Sequence, residues 1–204
     1  MSQVPEKVAE SSVDLHPLIA RRWSPRALDP TAELTDHQLR ALLEAARWAP
    51  SFGNTQPARY LVGRRGDETF GRIFGVLNSG NQSWTHAAAA LLIGVAVTRN
   101  EKGEIPYAEY GVALASENLV LQAVAEGLVA HQMAGFDSAA AHREFGLPAD
   151  ARALVAIAVG RLGDPALLDE RRRERELAPR SRLPLGEIAF AGQWGNPVFG
   201  PRNR

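Results

Sequence analysis

The segment YAEYGVALASENLVLQAVAEGLV, from Tyr107 to Val129, is the longest largely apolar segment of the chain. Its polar residues Asn118, Gln122 and Glu126 recur every four positions, so on a helix they form only a narrow stripe. This spacing predicts a helix that is buried on nearly all sides. A helix of this kind belongs at the centre of a domain or of a dimer.

Further helices and strands are predicted on both sides of this segment from hydrophobic period, capping residues and turn residues. Thr35 and Gln38 form a capping-box signature at the start of one of these helices. Strands are predicted at residues 58–63, 88–97 and 153–159, and the last two are apolar enough to be buried on both faces. Helices are predicted at residues 15–23, 35–50, 69–77, 137–146 and 164–176, and a polar connection at 78–84.

The C-terminal part of the chain, residues 177–204, has no clear period, and four prolines exclude a continuous helix or strand there. An irregular stretch of this length needs a surface to lie against. We expect an extended arm, at the end of a single domain that spans residues 1–204. Trp194 and Phe199 could anchor the arm on a partner subunit or on its own chain, and the sequence leaves both alternatives open.

Composition limits the classes of function. The chain of 204 residues has 45% hydrophobic and 23% charged residues, which is typical of a soluble domain. Its 23 basic and 23 acidic residues cancel, so no overall field favours nucleic acid or an acidic membrane. The absence of cysteine excludes thiolate catalysis, disulfides and cysteine-ligated metals. The only lysines, Lys7 and Lys102, have polar neighbours, which argues against Schiff-base chemistry and a P-loop.

Two features bear on location. The first residues, MSQVPEKVAESSVD, contain no apolar h-region of a signal peptide. The longest uninterrupted apolar run, residues 87–97, is too short to span a bilayer of about 30 Å. We therefore expect a cytoplasmic protein without a membrane partner.

The charge run RRRERE, residues 171–176, is basic enough to suggest a nucleic-acid patch. However, Asp169 precedes Arg173 by four residues, and Arg172 precedes Glu176 by four, which is the spacing of ion pairs on a helix surface. The acidic residues also dilute the positive charge. We interpret this run as a solvated helix face and expect no nucleic-acid partner.

No self-sufficient catalytic set is visible in the sequence. The five histidines are scattered, and the chain has no HExxH motif, GxSxG elbow or GxGxxG turn. We therefore predict neither a metal site nor a side-chain nucleophile. If the protein is an enzyme, a bound cofactor must carry the difficult step.

Four polar, turn-rich segments share one chemical character: RRWSPR at residues 21–26, APSFGNTQP at 49–57, NQSW at 81–84 and PRSR at 179–182. They offer guanidinium groups, hydroxyls, carboxamides and loop backbone groups, which suit a phosphate and a planar heterocycle. Taken alone, each has a structural explanation. Arginines near a helix C-terminus, for example, are stabilised by the helix dipole.

Taken together and in order, these segments resemble the nitroreductase family of flavin mononucleotide (FMN) oxidoreductases, over residues 15–182 or nearly so. The resemblance implies an α+β, FMN reductase-like fold of three layers, in which helices flank a mixed or antiparallel sheet. It also implies an intertwined homodimer with exchanged termini and two FMN sites at the subunit interface.

The resemblance further implies where FMN binds. Arg22 and Ser24 match an early phosphate-binding motif, and Arg180 with Arg182 match a late one, so that both ends of the chain would hold one phosphate. Arg26 would lie at the pyrimidine edge, where its positive charge polarises the flavin. The implied cofactor-binding residues are Arg22, Trp23, Ser24, Arg26, Pro50, Ser51, Phe52, Asn54, Gln56, Asn81, Trp84, Met133, Ala134, Gly135, Arg180 and Arg182.

Within this set, the loop from Pro50 to Gln56 would cover the flavin of the neighbouring subunit, with Phe52 facing the substrate. Asn81 would bind the isoalloxazine edge, and the segment MAGFD would pass its backbone at Ala134 and Gly135 close to flavin N5. The chain departs from the family pattern at three positions. Trp84 stands where several relatives have lysine, and Gly111 and Ala134 stand where acidic residues are common.

The implied activity is an NAD(P)H-dependent FMN oxidoreductase. NADH or NADPH would reduce the flavin at N5 and leave, and an oxidised acceptor would then use the same cleft, in a ping-pong reaction. Nitroaromatics, quinones and activated aldehydes or enones are the implied acceptors. The alternative is a flavin-binding storage or sensing protein without efficient turnover.

Overall fold

The computed structural model describes residues 7–199. Its helices are α1 (Pro17–Arg21), α2 (Asp36–Arg47), α3 (Glu68–Val76), α4 (Ser79–Thr85), α5 (Ala108–Ala125), α6 (Ser138–Glu144) and α7 (Glu170–Leu177). Its strands are β1 (Ala58–Arg64), β2 (Ala90–Val97), β3 (Arg99–Asn100), β4 (Gly103–Glu104), β5 (Val129–Met133) and β6 (Ala151–Gly160). Short 3₁₀ turns lie at Phe52–Asn54, Pro165–Leu167 and Leu185–Glu187.

The sheet has the strand order β1-β2-β6-β5, and every neighbouring pair is antiparallel. Leu92 sets the register at its centre, opposite Val62 on one side and Ile157 on the other. The strands β3 and β4 form a separate two-stranded hairpin. The resemblance implies a mixed or an antiparallel sheet, and the described strands form an antiparallel sheet.

Helices cover both faces of the sheet, which explains why β2 is apolar throughout and does not alternate. Leu91 and Ile93 point towards α3, α4 and α6, where they pack with Ile73 and Trp84. Leu92, on the opposite face, packs with residues of α2 and α5. Because side chains alternate along a strand, these contacts define three layers. The chain therefore has the three-layer α+β architecture that was expected.

The central helix α5 is shorter and less buried than its sequence suggested. It ends at Ala125, and Gly127, with φ of 69°, turns the chain into β5, which the sequence did not reveal. One face of α5 packs on α2 and the sheet, but the other face is open, and Tyr110 on it is 64% exposed. The prediction of burial on nearly all sides is therefore wrong within one chain, since only the inward face has partners.

The predicted polar connection at residues 78–84 is in fact the helix α4. The Asn78 side chain accepts a hydrogen bond from the Asn81 backbone N–H at 2.9 Å and so starts the helix. Trp84 and Thr85 provide its buried side. In this segment the helix is stabilised by its N-cap and by the burial of one turn. Neither feature produces an apolar repeat that the sequence pattern could reveal.

The predicted helix over residues 164–176 is divided in two. A 3₁₀ turn at Pro165–Leu167 is followed by α7, whose first turn is capped by Asp169 through the Arg172 backbone N–H at 3.0 Å. Asp169 therefore pairs with Arg172, three residues on, and not with Arg173. A cap requires extended backbone at Asp169, which interrupts a continuous helix.

Beyond α7 the chain follows an irregular path as far as residue 199. The predicted arm extends to residue 204, and its last five residues lie outside the described part of the chain. Phe190 bridges to Pro197, and its ring lies 4.8 Å from that of Trp194. Trp194 is nevertheless 91% exposed, so its ring is not anchored on the rest of its own chain.

Across residues 7–199, the helices are too short or too polar to cross a membrane.

Candidate functional site

The two basic clusters from opposite ends of the chain meet in one cavity of about 840 Å³, lined by Arg22, Arg180 and Arg182. Hydrogen bonds hold the ends together, because Nη1 of Arg180 donates to the carbonyl oxygens of Ala20 and Lys7, both at 2.8 Å. The end of α1 thus lies against the segment that follows α7.

Electrostatics in this cavity favour an anion. Burial lowers the pKa of the Arg180 guanidinium, and the charges of Arg22 and Arg182 lower it further. A carboxylate of α5, Glu117, lies 3.7 Å from Arg22 Nε, which is long for an ion pair. Since like charges held together cost free energy, an anion would relieve the repulsion among the three arginines, although Glu10 and Glu117 on the cavity wall offset part of their charge. Glu117 was not among the predicted site residues, because only the tertiary fold brings α5 to this place.

Two further residues of RRWSPR lie beside this cavity. The Ser24 hydroxyl accepts a hydrogen bond from Arg22 Nη1 at 3.4 Å, so it is within reach of the same ligand. The Trp23 ring is covered by the Lys7 ammonium, 4.8 Å from the ring centroid. The indole is therefore held by a cation–π contact next to Arg22, but it does not itself line the cavity.

A second group of predicted residues meets where α4 begins and β5 ends. The Asn81 side chain donates to the Gly135 carbonyl oxygen at 2.9 Å, and the same oxygen accepts from the Asn78 backbone N–H at 3.0 Å. A Cβ on Gly135 would lie 2.7 Å from Asn81 Nδ2. Glycine is therefore required here for close approach, and Asn78 is a residue that the sequence analysis missed, although its Asn-to-Asn spacing is a capping signal.

The neighbours of Gly135 differ in exposure. Met133, the last residue of β5, is buried in the core, whereas Ala134 is exposed. The backbone at Ala134 is thus open to a ligand, and Met133 supports it from beneath. Neither place requires the acidic side chain that is common at position 134 among similar sequences.

Arg26 lies apart from the three arginines of the basic cavity. Its guanidinium has a lowered pKa because it is partly buried; Arg175 and Arg172 act in the same direction, and Glu176 opposes them. Glu176 is 2% exposed, and its Oε1 accepts from the backbone N–H groups of Arg26 and Ala27 at 2.8 and 3.0 Å. The predicted surface pair between Arg172 and Glu176 is therefore wrong, since Glu176 points into the protein.

Trp84 lies in the core and not on an open surface. It is 2% exposed, its ring stacks 4.8 Å from that of His131, and its Nε1 has no hydrogen-bond partner among the described residues. A side chain this buried offers a cofactor almost no surface. Trp84 therefore supports the site from behind, which explains why the place of a lysine can be taken by an apolar ring.

His131 is a neutral structural residue. Its Nδ1 lies 2.9 Å from the Pro25 carbonyl oxygen, and its ring is 8% exposed. Burial lowers its pKa from 6.5 to about 4, and the Arg26 and Arg22 charges contribute, against the hydrogen bond to Pro25. His131 thereby holds the segment that carries both arginines.

The lowered pKa of His131 predicts a loss of stability in mild acid. Because the folded protein binds this proton less readily than the unfolded chain, the stabilisation is complete above pH 6.5 and is lost as the pH falls towards 4. We expect the free energy of unfolding to fall by about 3 kcal/mol more in the wild type than in His131→Gln over this range. Urea unfolding at several pH values measures both slopes, and equal slopes would contradict the assignment.

The loop after α2 has an unusual backbone. Asn54 and Gln56 have φ of 56° and 48°, in the left-handed region, and the Ser51 hydroxyl accepts from the Gln56 N–H at 2.9 Å. The exposed Phe52 ring lies 5.6 Å from that of Tyr107, which also has a positive φ. Residues held in this region mark places where the surrounding structure imposes a shape, often for function.

This loop packs on the start of α5. A Cβ on Gly111 would lie 2.7 Å from Pro57 Cγ, so glycine allows the helix to approach the loop. This contact gives a reason for the absence of an acidic residue at position 111. Together with Phe52 and Tyr110, Pro50 and Ser51 line a cavity of about 640 Å³.

Within one chain the loop does not meet the basic cavity, since none of its residues lines it. Most of the predicted residues therefore fall into three places: the basic cavity, the junction of α4 with β5, and the loop before β1. Arg26 lies apart from these places, beside Glu176, and Trp84 lies in the core. The resemblance assigns the loop to the flavin of a neighbouring subunit, and that assignment stays a prediction.

Comparisons with known proteins point to one protein family. A model of the nitroreductase family matches residues 19–74 and 67–161. A 15.4 kDa protein from the ask 5′ region of Mycolicibacterium smegmatis is 42% identical over 148 residues, which cover 69% of this chain and 99% of that protein. A Streptomyces coelicolor protein named as an NADH dehydrogenase/NAD(P)H nitroreductase is 31% identical over 66% of this chain and 76% of its own.

Among solved structures, an oxidoreductase containing FMN superposes with a TM-score of 0.85 at 30% identity, over 91% of this chain and 95% of that one. A nitroreductase from Desulfovibrio desulfuricans in complex with FMN has a TM-score of 0.67 at 24% identity, over 89% and 99% of the two chains, and shows the shared fold. The family model matches most of the chain. This match shows that the chain belongs to the nitroreductase family.

Proposed function

We propose that this protein is a homodimeric FMN-dependent oxidoreductase that takes electrons from NADH or NADPH and passes them to a small oxidised acceptor. One observation carries this proposal: arginines from both ends of the chain, Arg22 at one end and Arg180 with Arg182 at the other, line one cavity. A phosphate monoester matches their charge, and guanidinium groups bind its oxygens in pairs.

The residues present fit FMN at its other end as well. Gly135 lacks the Cβ that would clash with Asn81, so the Asn81 carboxamide lies directly against this backbone, beside the exposed Ala134 at which a flat ring can approach. The Asn81 carboxamide can hydrogen-bond the edge of a heterocycle beside it. Arg26 lines a small pocket with Ser83 and Trp84 of α4, the helix that carries Asn81, so its charge can act on a ring bound at that helix.

Bound FMN would supply the redox chemistry, by accepting hydride from the nicotinamide and passing two electrons to the acceptor. The protein contributes position, charge and exclusion of water. Arg22, Ser24, Arg180 and Arg182 hold the phosphate, Asn81 orients the ring, and Arg26 stabilises negative charge on it. Donor and acceptor occupy one cleft in turn, in a ping-pong reaction.

The acceptor is a small flat molecule, of the nitroaromatic, quinone or enone kind. The support for this class is the cavity walled by the exposed rings of Phe52 and Tyr110, with Tyr107 beside Phe52. Aromatic side chains bind flat π-systems by stacking and keep water out.

Exposed apolar groups support the homodimer. Tyr110 on the open face of α5, Tyr107 just before it, and Phe52 and Trp194 are all largely exposed. Large apolar groups gathered on a surface mark an interface. A second copy that covers α5 brings its own loop of residues 50–56 to this helix, and so completes a site for which one chain supplies only a part.

The absorbance spectrum of the purified protein tests the cofactor. We expect a yellow protein with flavin bands and one FMN for each chain, either as isolated or after addition of FMN. Colourless protein that takes up no added FMN would exclude the proposed function.

Anaerobic mixing with NADH and with NADPH then tests turnover. Bleaching of the flavin bands by either donor, followed by recovery of the colour with a quinone, identifies an oxidoreductase. A flavin that stays oxidised with both donors identifies a flavin-binding storage or sensing protein instead.

A further inference from the structure

The helix α7 has one inward face that contacts two separate parts of the candidate cofactor site. Arg172 and Glu176 are four residues apart, so they lie one turn apart on the same side of the helix. Sequence spacing suggests that they pair with each other. Instead, each one binds the backbone of a different segment.

Glu176 binds the segment RRWSPR. Its Oε1 accepts from the Arg26 and Ala27 N–H groups at 2.8 and 3.0 Å, and the side chain is buried. Burying a carboxylate costs free energy unless hydrogen bonds and opposite charges compensate. Here two N–H donors and the charges of Lys7 and Arg26 do so.

Arg172 binds the first turn of α4. Its Nη2 donates to the Gly80 carbonyl oxygen at 3.0 Å, next to Asn81, and Asp169 binds its Nη1. The Arg172 side chain is only 18% exposed, so it is ordered against the protein and not extended into solvent. The backbone on either side of the proposed flavin ring is thus bound by one turn of one helix.

We propose that Arg172 and Glu176 make α7 a clamp that sets the distance between Arg26 and Asn81 and thereby the affinity and reduction potential of the flavin. Both are positioning residues, because they act through the backbone of other residues. The proposal rests on the proposed function, since it assumes that FMN lies between Arg26 and Asn81. His131 strengthens the clamp from the other side, by binding the Pro25 carbonyl oxygen.

The first test is FMN affinity of Glu176→Ala and Arg172→Ala, with Glu174→Ala and Arg173→Ala as matched controls on the exposed face of the same helix. Loss of the Glu176 acceptor leaves two N–H groups unsatisfied, so we expect the FMN dissociation constant to rise roughly 10–100-fold. For Arg172→Ala we expect a rise of roughly 3–10-fold. Both controls should bind FMN as the wild type does.

The conservative variant Glu176→Gln keeps an acceptor oxygen but removes the charge. It should bind FMN within about threefold of the wild type. Its flavin should be easier to reduce, because a negative charge near Arg26 is gone, whereas Arg172→Ala should make the flavin harder to reduce. Opposite shifts of the midpoint potential would not arise from a general loss of packing.

Hydrogen exchange of the protein without FMN tests the clamp directly. Glu176→Ala should speed exchange in peptides that contain Arg26 and Ala27, and Arg172→Ala should speed it in peptides from the start of α4. If the wild type binds no FMN, the proposed function and this inference both fail. If the wild type binds FMN but the α7 variants match their controls in affinity, potential and exchange, only the clamp is overturned. Should Glu176→Ala not fold, Glu176→Gln and Arg172→Ala decide the outcome.

Discussion

Replacing Arg22 and Arg182 together by alanine is expected to yield protein that is purified without FMN. Each arginine gives the phosphate a charge-assisted contact, and each such contact contributes about 1.5–3 kcal/mol. Loss of both should raise the FMN dissociation constant roughly 10²–10⁴-fold. The ratio of flavin to protein absorbance and a titration with FMN measure this effect.

Arg22 and Arg182 are better suited to this test than Arg180, the third arginine of the cavity. Arg180 also joins the Lys7 and Ala20 carbonyl oxygens, so its removal would disturb the chain ends as well as the ligand. Arg21→Ala is the matched control, since Arg21 is exposed at the end of α1 and does not line the cavity. The phosphate assignment would be refuted by a double variant that keeps a full complement of FMN.

Gly135→Ala is expected to impair both stability and flavin binding. The added methyl group would lie 2.7 Å from Asn81 Nδ2 and would also press on the Asn78 carboxamide, so both side chains must move. Such overpacking costs about 1–3 kcal/mol of unfolding free energy. Because Asn81 loses its 2.9 Å hydrogen bond to the Gly135 carbonyl oxygen, FMN binding should weaken at least about tenfold as well.

Gly71→Ala is a control of the same chemistry at an open position. A Cβ on Gly71, within α3, meets no atom within 4 Å, so alanine there should raise stability by about 0.5–1 kcal/mol through helix propensity. Thermal unfolding and FMN titration of both variants separate the local clash from a general effect of alanine. Wild-type FMN affinity in Gly135→Ala would show that the ring does not depend on the Asn81 carboxamide.

Local signals in the sequence were sufficient for most of the elements. The Thr35 capping box starts α2 as predicted, the apolar run at residues 88–97 contains β2, and β6 contains the run at residues 153–159. These signals are reliable because their causes lie within a few residues, in a cap or in the burial of both strand faces.

The misread elements have either a cap without an apolar repeat or partners that lie far away in the sequence. The helix α4 has no apolar period and is defined by its Asn78 cap and by the burial of Trp84 in the core. Glu176 occurs in a run of charges, so its spacing suggested solvent, yet its partners are backbone groups 149 and 150 residues away.

The sequence by itself determined most of the helices and strands, the polar segments, and, by their resemblance to known sequences, the family. Caps, periods and turn residues are local, and a chain carries them before it folds. Only the tertiary structure decided that Arg22 and Arg180 face one cavity, that Glu176 binds the Arg26 backbone, and that Trp84 is enclosed. These contacts join residues far apart along the chain, and their free energy depends on burial and on distance in space, which spacing along the sequence does not specify.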